Sequence, residues 1–248
     1  NGTASFSIPL PFSPARGASP ALGLSYNSGS GNGIFGLGWT LSLPSIKRKT
    51  DKRLPKYFDD IDSDTFLFSE AEDLVPEFQK EGDGSFSKDA DGNYIIKEKD
   101  SADGIFTIRF YKPRIEGLFA RIERWSGKTS QEIKWRVITK ENVTTLFGLS
   151  AASRISDPKD ANKIFEWLPE FVFDDKGNCS HYIYKKEDDK GFNPSLLHNR
   201  NRIENGNITY TNLYIEKVLY GNKIPYKNLN DAYPNETDYL FQTVFDCG

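Results

Sequence analysis

Hydrophobic residues in this chain recur at every second position, and that period decides most of what it can fold into. Ala4, Phe6, Ile8 and Leu10 alternate with small polar residues, and Leu22, Leu24 and Tyr26 do so again after a turn around Arg16 and Gly17. Trp39, Leu41 and Leu43 continue the pattern, as do "GIFTIRFYKPR", "FARIERWS", "IKWRVITKENVTTLFG" and "IFEWLPEFVFDDKGNCSHYIYKKED". Period two places one set of side chains on one face of a pleated strand. Turn-formers punctuate the runs at Ser126-Gly127-Lys128, Thr139–Asn142 and Asp174–Asn178. The 18 Phe and 12 Tyr suit half-buried pleated surfaces better than helices.

The expected fold is therefore mainly β, with antiparallel strands and hairpins in one or more large curved sheets and little helix. Only "SRISDPKDANKIFEW" reads as a short helix, with Ser156 or Asp157 as N-cap before Pro158. The polar run Glu77–Asp103 reads as a hairpin or long excursion, and Leu196–Asn212 as a polar loop. No linker or composition break divides the chain, so residues 1–248 are taken as one domain.

Charge and composition remove several function classes. The formal net charge is -3 with both signs interspersed, which gives no footprint for nucleic acid or a membrane surface. No apolar run approaches the roughly 18–20 residues of a membrane span. "NGTASFSIPLPF" has no signal-peptide pattern. With no Met and an abrupt end at Gly248, the chain is expected to be a piece of a longer protein. Cys179 and Cys247 make neither a disulfide framework nor a zinc site, and are expected as free thiols or at most one bridge.

The stretch Ser28–Trp39 holds five glycines in twelve residues and spells Gly31-Asn32-Gly33-Ile34-Phe35-Gly36. A dinucleotide cradle with that spelling needs a helix directly after its third glycine. Here "LGWTLSLP" follows, which alternates as a strand, so the glycines are read as a tight strand-to-strand passage seating Phe35 and Trp39. Asp60, Asp62 and Asp64, and then Asp89, Asp91 and Asn93, show calcium-loop spacing. The sixth and twelfth positions hold Thr65 and Ala71 in one case and Tyr94 and Asp100 in the other, so turn formation is preferred. Cys179 and His181 share a strand face without an orienting partner. Glu70-Ala71-Glu72 spells an acidic pair used by ADP-ribosyltransferases, but their upstream Arg and Ser-Thr-Ser elements are missing. No catalytic residue, cofactor ligand or metal ligand emerges.

"GTASFSIPLPFSPARGASPALGLSYNSGSGNGIFGLGWTLSLPSIKR" is distinctive as a whole. It resembles the opening of the SpvB-type domain, the N-terminal region of the B subunits of bacterial insecticidal Tc toxin complexes and of the Salmonella plasmid virulence protein. The signature residues are Arg16, Gly17, Pro20, Tyr26, Gly31, Gly33, Phe35, Gly36, Gly38 and Trp39. "LPKYFDDIDSDTFLFSEAEDLVP", "RFYKPRIEGLFARIERW", "FGLSAASRISDP", "FEWLPEF" and "YIEKVLYGN" extend the resemblance along the chain. "FVFDDKGNCSHYIY" also looks like one tyrosine-aspartate hairpin of an RHS repeat.

The resemblance implies a scaffold in a virulence factor. In Tc B subunits this region leads into a β-propeller and an RHS-repeat sheet, which together with the C subunit form a hollow shell around a toxic effector. The propeller docks onto the A subunit, so partners are the rest of the chain and, through the complete complex, the C and A subunits. In the Salmonella protein the domain precedes an actin-modifying ADP-ribosyltransferase. The expected location is secreted, with assembly in the bacterial cytoplasm before release, no nucleic acid and no direct membrane insertion. From another class comes a β-sandwich module binding a carbohydrate or partner protein through exposed aromatics such as Trp125, Trp135 and Tyr184.

Overall fold

In the computed structural model 47% of the chain is strand and 4% helix, so the expected β-class is the observed one. The structure describes all residues except 1, 18, 70–71, 116, 118, 188–192, 194, 198, 200–202, 205–206, 209, 228–230 and 247–248. The strands begin with β1 (Ser5–Pro9), β2 (Gly23–Asn27), β3 (Asn32–Gly33), β4 (Gly36–Leu37), β5 (Trp39–Leu41), β6 (Ile46–Arg48) and β7 (Phe66–Phe68). There follow β8 (Glu72–Pro76), β9 (Glu98–Asp100), β10 (Phe106–Pro113), β11 (Arg121–Gly127), β12 (Ile133–Ile138) and β13 (Thr144–Phe147). The last are β14 (Arg154–Asp157), β15 (Asp160–Trp167), β16 (Pro169–Phe173), β17 (Cys179–Lys186), β18 (Ile203–Glu204), β19 (Asn207–Ile208), β20 (Leu213–Asn222) and β21 (Tyr239–Val244).

Fourteen strands form one antiparallel sheet, ordered β14-β15-β6-β7-β8-β10-β11-β12-β13-β16-β17-β20-β21, with β9 on the β8 edge of β10. The run from Asp160 to Phe173 is interrupted only at Leu168. Its first half, β15, pairs with β6, and its second half, β16, pairs with β13. Gly148 N–H donates to Leu168 O at 2.9 Å where the halves meet. One run thus serves two distant places in the strand order, and the sheet between them curls into a barrel-like ring. Strands β16, β17, β20 and β21 extend beyond it.

The ring encloses Ile46, Phe66, Leu74, Tyr111, Ile122, Ile133, Trp135, Val137, Phe147, Ile164 and Trp167. Phe66 meets Trp135 edge-on at 4.9 Å and Trp167 at 5.8 Å between ring centroids. Trp167 donates its indole N–H to Ile133 O at 2.8 Å, satisfying the polar end of a fully buried ring. Each such aromatic contributes a few kcal/mol to stability.

The helix expected over 153–167 is absent. Arg154–Asp157 and Asp160–Trp167 form a hairpin instead, and just before them Ala151–Ser153 makes a single turn of 3-10 helix. Asp157 is not an N-cap: its carboxylate accepts the Lys159 N–H inside the hairpin turn. A register shift between Glu166 and Ile164 turns both Trp167 and Ile164 inward, and their burial with the pairing on both edges overrides a local capping signal. The Glu77–Lys97 excursion folds as two tight turns joined by the bridges Phe78–Ile96, Lys80–Phe86 and Lys88–Tyr94.

At the N-terminus β1, β2 and β5 form a separate three-stranded sheet, and β3 and β4 a two-residue hairpin beside it. Leu10, Phe12, Leu22, Leu41 and Leu43 anchor this part on Tyr182, Tyr184, Ile215 and Val218 of the large sheet. Ser13 N–H donates to the Tyr220 hydroxyl at 3.0 Å along the same seam. β1 itself is exposed throughout, with Phe6 62% accessible.

Candidate functional site

The most organised polar cluster lies at one mouth of the ring. Three inward strand positions there carry arginine: Arg48 on β6, Arg109 on β10 and Arg124 on β11. Arg109 and Arg124 stand directly opposite one another across β10 and β11. Like charges in that position repel unless counter-charges lie between them. The connection between β6 and β7 folds over the mouth and supplies them.

Asp59 takes both ends of the Arg48 guanidinium, at 2.7 and 2.9 Å, and Asp64 accepts a further bond at 2.9 Å. Arg48 Nε donates to Ile164 O at 2.7 Å, so all three nitrogens of the fully buried group are bonded. Its plane lies over Tyr57, Phe66 and Trp167 at 4.7–5.4 Å. Asp62 joins Arg109 at 2.5 Å and Arg124 at 3.0 Å, and accepts the Tyr111 hydroxyl at 3.2 Å. Glu98 completes the Arg109 pairing at 2.9 Å. Arg124 also donates to Asp59 O at 3.1 Å.

The plug is held in a conformation its residues would not adopt alone. Tyr57 and Asp62 both have left-handed backbones, with φ of 61° and 48°. Such positions cost about 1–3 kcal/mol each and persist where the surroundings over-determine them. The Asp64 carboxylate does so by accepting the N–H groups of Lys56 and Tyr57, each at 2.8 Å. Burial pushes the Asp64 carboxyl up, but those two amides and Arg48 outweigh it and hold it below the ordinary carboxylate range. Burial likewise pushes the Tyr111 phenol well up, so it stays a neutral donor to Asp62. Of the spaced aspartates that resemble a calcium loop, Asp62 and Asp64 are thus turned onto arginines, and among the described residues no three acids, histidines or cysteines are placed to hold a metal.

Beside the plug lies a cavity of about 600 Å³ lined by Arg109, Arg124, Glu98, Glu132, Asp160 and Lys163, among others. Every one of those acids and cations, except Lys163 and Asp160, is engaged with a strand or plug partner; Asp160 and Lys163 pair with each other at 3.7 Å.

The glycine signature sits elsewhere, on the small sheet. Gly33 and Gly36 pair across the β3–β4 hairpin, and a strand follows the third glycine where a nucleotide cradle would need a helix. A Cβ on Gly33 would lie 2.4 Å from Trp39 O, and one on Gly38 2.7 Å from the Tyr26 ring, with Gly38 at φ +78°. Trp39 pairs with Tyr26 across β2 and β5, their rings 5.3 Å apart. Gly31 has open space around it and Phe35 is half-buried. Gly17, at φ +70°, lies against the Asn178 side chain of the β16–β17 turn, which links the N-terminal segment to that hairpin. Arg16 is exposed beside it and Pro20 buried in the seam.

The remaining candidates separate. Cys179 is buried and free, 3.7 Å from the Tyr239 hydroxyl, and burial pushes its thiol up to about 11. His181 is held below the ordinary imidazole range by burial. A thiol and a base shifted in those directions do not make an activated nucleophile. His198, Cys247, Glu70 and Ala71 lie outside the described residues. Trp135 and Tyr184 are buried in separate cores and Trp125 alone is half-buried, so the three do not form one exposed patch. Asp89 accepts the N–H groups of Asp91 and Asn93, which makes its segment a turn.

Sequence inspection passed over Arg48, Arg109 and Arg124. The signal was present: arginine at an inward position of an alternating strand is costly unless an acid-rich segment reaches it, and "FDDIDSD" is such a segment.

Comparison with known proteins agrees along the whole chain. The family model described as Salmonella virulence plasmid 65kDa B protein, SpvB, matches residues 1–248. Mono(ADP-ribosyl)transferase SpvB of Salmonella typhimurium is 35% identical over 252 residues, spanning 100% of this chain but 40% of that protein. The same-named protein of Salmonella dublin matches equally, so the chain spans well under half the length of these curated relatives. Among solved structures, the TcdB2-TccC3 crystal structure superposes with a TM-score of 0.80 at 32% identity, over 99% of this chain and 11% of that one. The N-terminal domain of effector protein SpvB from Salmonella typhimurium superposes with a TM-score of 0.73 at 32% identity, over 90% of this chain and 66% of that one. In both sequence and fold, the chain belongs to the SpvB family.

Proposed function

We propose that this domain is a non-catalytic scaffold of a bacterial toxin, a wall segment of a hollow RHS-type shell that encloses a separate effector. The observation that carries the proposal is the near-complete match to a region forming only 11% of the TcdB2-TccC3 chain. Two features of the domain itself support it. Among the described residues the large sheet ends in two open edges, β14 and β21, and the N-terminal sheet and its β3–β4 hairpin expose Phe6, Ile8 and Leu37. Such edges and apolar surfaces are liabilities in a free domain and assets in one flanked by further chain. The committed arginines and aspartates of the plug support a fastening role for that cluster. On this view the partners are the β-propeller and RHS regions of the same chain and, in the complete complex, C- and A-type subunits. The protein would be secreted, after assembly in the bacterial cytoplasm.

A second reading is favoured by the 35% identity to a mono(ADP-ribosyl)transferase over all of this chain. There the domain is the accessory N-terminal part of a two-part toxin acting on actin. Purified domain incubated with labelled NAD and actin is expected to leave actin unlabelled; transfer of label would overturn the non-catalytic proposal. The two readings separate on the parent: a full-length protein that protects an enclosed effector from added protease is a shell, and one that labels actin is the two-part enzyme.

A further inference from the structure

The outer face of β10–β13 would ordinarily meet water, yet much of it is apolar. Phe106, Ile108 and Phe110 on β10, Trp125 on β11 and Leu146 on β13 lie on that face by register. Lys134 shares it, next to Trp125 across β11 and β12. All of these except Phe110, together with Lys99, Leu149 and Tyr233, line a cavity of about 450 Å³ roofed by the Lys99–Asp103 segment. That volume lies in the range of small-ligand sites.

The charges around the cavity are unevenly matched. Arg136 is bound at 2.7 and 2.8 Å to Glu123 and stacks over Trp125. Asp100 pairs with Lys128 at 2.8 Å, and Asp103 accepts from Ser101 and the Ile105 N–H. Among the described residues the half-buried Lys134 makes no hydrogen bond or ion pair, and Glu132 and Asp103 act on it only through space. Its ammonium rests on the Phe106 ring, 4.1 Å from the centroid. Lys99 stands at the rim, 5.6 Å from the Phe110 ring. Burial lowers the Lys134 pKa, the mark of a charge stripped of water without full compensation. An ammonium with three donors, set in an aromatic wall and held in no direct ion pair by the acids near it, is complementary to a carboxylate whose body is apolar.

We propose that this cavity binds a carboxylate carried on an apolar or aromatic body, with Lys134 pairing the acid and Trp125 and Phe106 packing the body. Two sources share that chemistry, a free organic acid and an acidic side chain of a peptide. The proposal is independent of the shell reading.

The test is titration of the purified domain with 3-phenylpropionate, with its uncharged amide, and with a capped Asp-Phe dipeptide amide. Binding is read by calorimetry and by protection of Lys134 from acylation in peptide mass mapping. Saturable binding of at least one acid, weaker by about tenfold or more for the amide and in Lys134→Gln, with recovery in Lys134→Arg, is expected. The arm that binds names the source. Equal affinity for acid and amide by the unaltered protein would overturn the proposal without reference to any variant. So would failure of both acids to protect Lys134 at millimolar concentration, or wild-type affinity in a Lys134→Gln protein with an unchanged urea midpoint.

Discussion

Replacing Arg48 with Met tests the plug most directly. Methionine fills a similar volume beside Phe66 and Trp167, so the change removes charge and hydrogen bonds while leaving little void. Four bonds disappear: two to Asp59, one to Asp64 and one to Ile164 O. Taken separately at about 1.5–3 kcal/mol each they would rival the whole stability of a typical domain, but they are not independent. Asp59 is 21% exposed in its side chain and can rehydrate, whereas Asp64, at 3%, keeps only its two backbone donors. The expected loss is therefore that of breaking one buried pair, about 3–5 kcal/mol. Urea unfolding followed by tryptophan fluorescence measures it, since Trp135 and Trp167 lie in the core that Arg48 caps. Asp64→Asn and the double variant close a thermodynamic cycle, with an expected coupling of about 1 kcal/mol or more. The pH dependence has a definite sign. Because the folded Asp64 carboxyl is held low, its contribution is complete above about pH 4 and disappears as pH falls through the folded value. Arg48→Met should flatten that acid limb. A loss below about 1 kcal/mol with an unchanged denaturant slope, the level of an exposed pair such as Lys97–Glu77, would refute the fastening role.

Other consequences are equally direct. Gly38→Ala meets both a left-handed backbone and the Tyr26 ring, and should cost more than about 2 kcal/mol; Gly31→Ala, with open space and no such backbone, should stay within about 0.5 kcal/mol. Gly36→Val should fall between them, because φ of +101° strains any side chain although nothing crowds it. Equal urea midpoints for the Gly31 and Gly38 variants would contradict that reasoning. Cys179 should resist iodoacetamide in the native protein at pH 8 and react on unfolding, as peptide mapping would show. Its raised pKa adds a contribution that is complete below about pH 9 and lost as pH rises through about 11, worth about 2–3 kcal/mol. Equal alkylation rates for folded and unfolded protein would remove the basis for both statements.

Period-two alternation by itself determined the class, the strands and most of the turns, because the pleat leaves only one way to bury one set of side chains. It also carried the glycine passage, since "LGWTLSLP" has the period of a strand. It could not decide between helix and hairpin at 154–167, where a local N-cap competes with two edges of distant pairing partners. Nor could it show that Asp160–Phe173 serves two places in the strand order, or that Asp59, Asp62 and Asp64 answer Arg48, Arg109 and Arg124. Those facts depend on which distant residues come into contact, such as Arg48 and Ile164, 116 positions apart. A carboxylate reads the same in a solvated turn and opposite a buried guanidinium. Only closure of the ring, by excluding water from one mouth of it, makes the difference one of several kcal/mol.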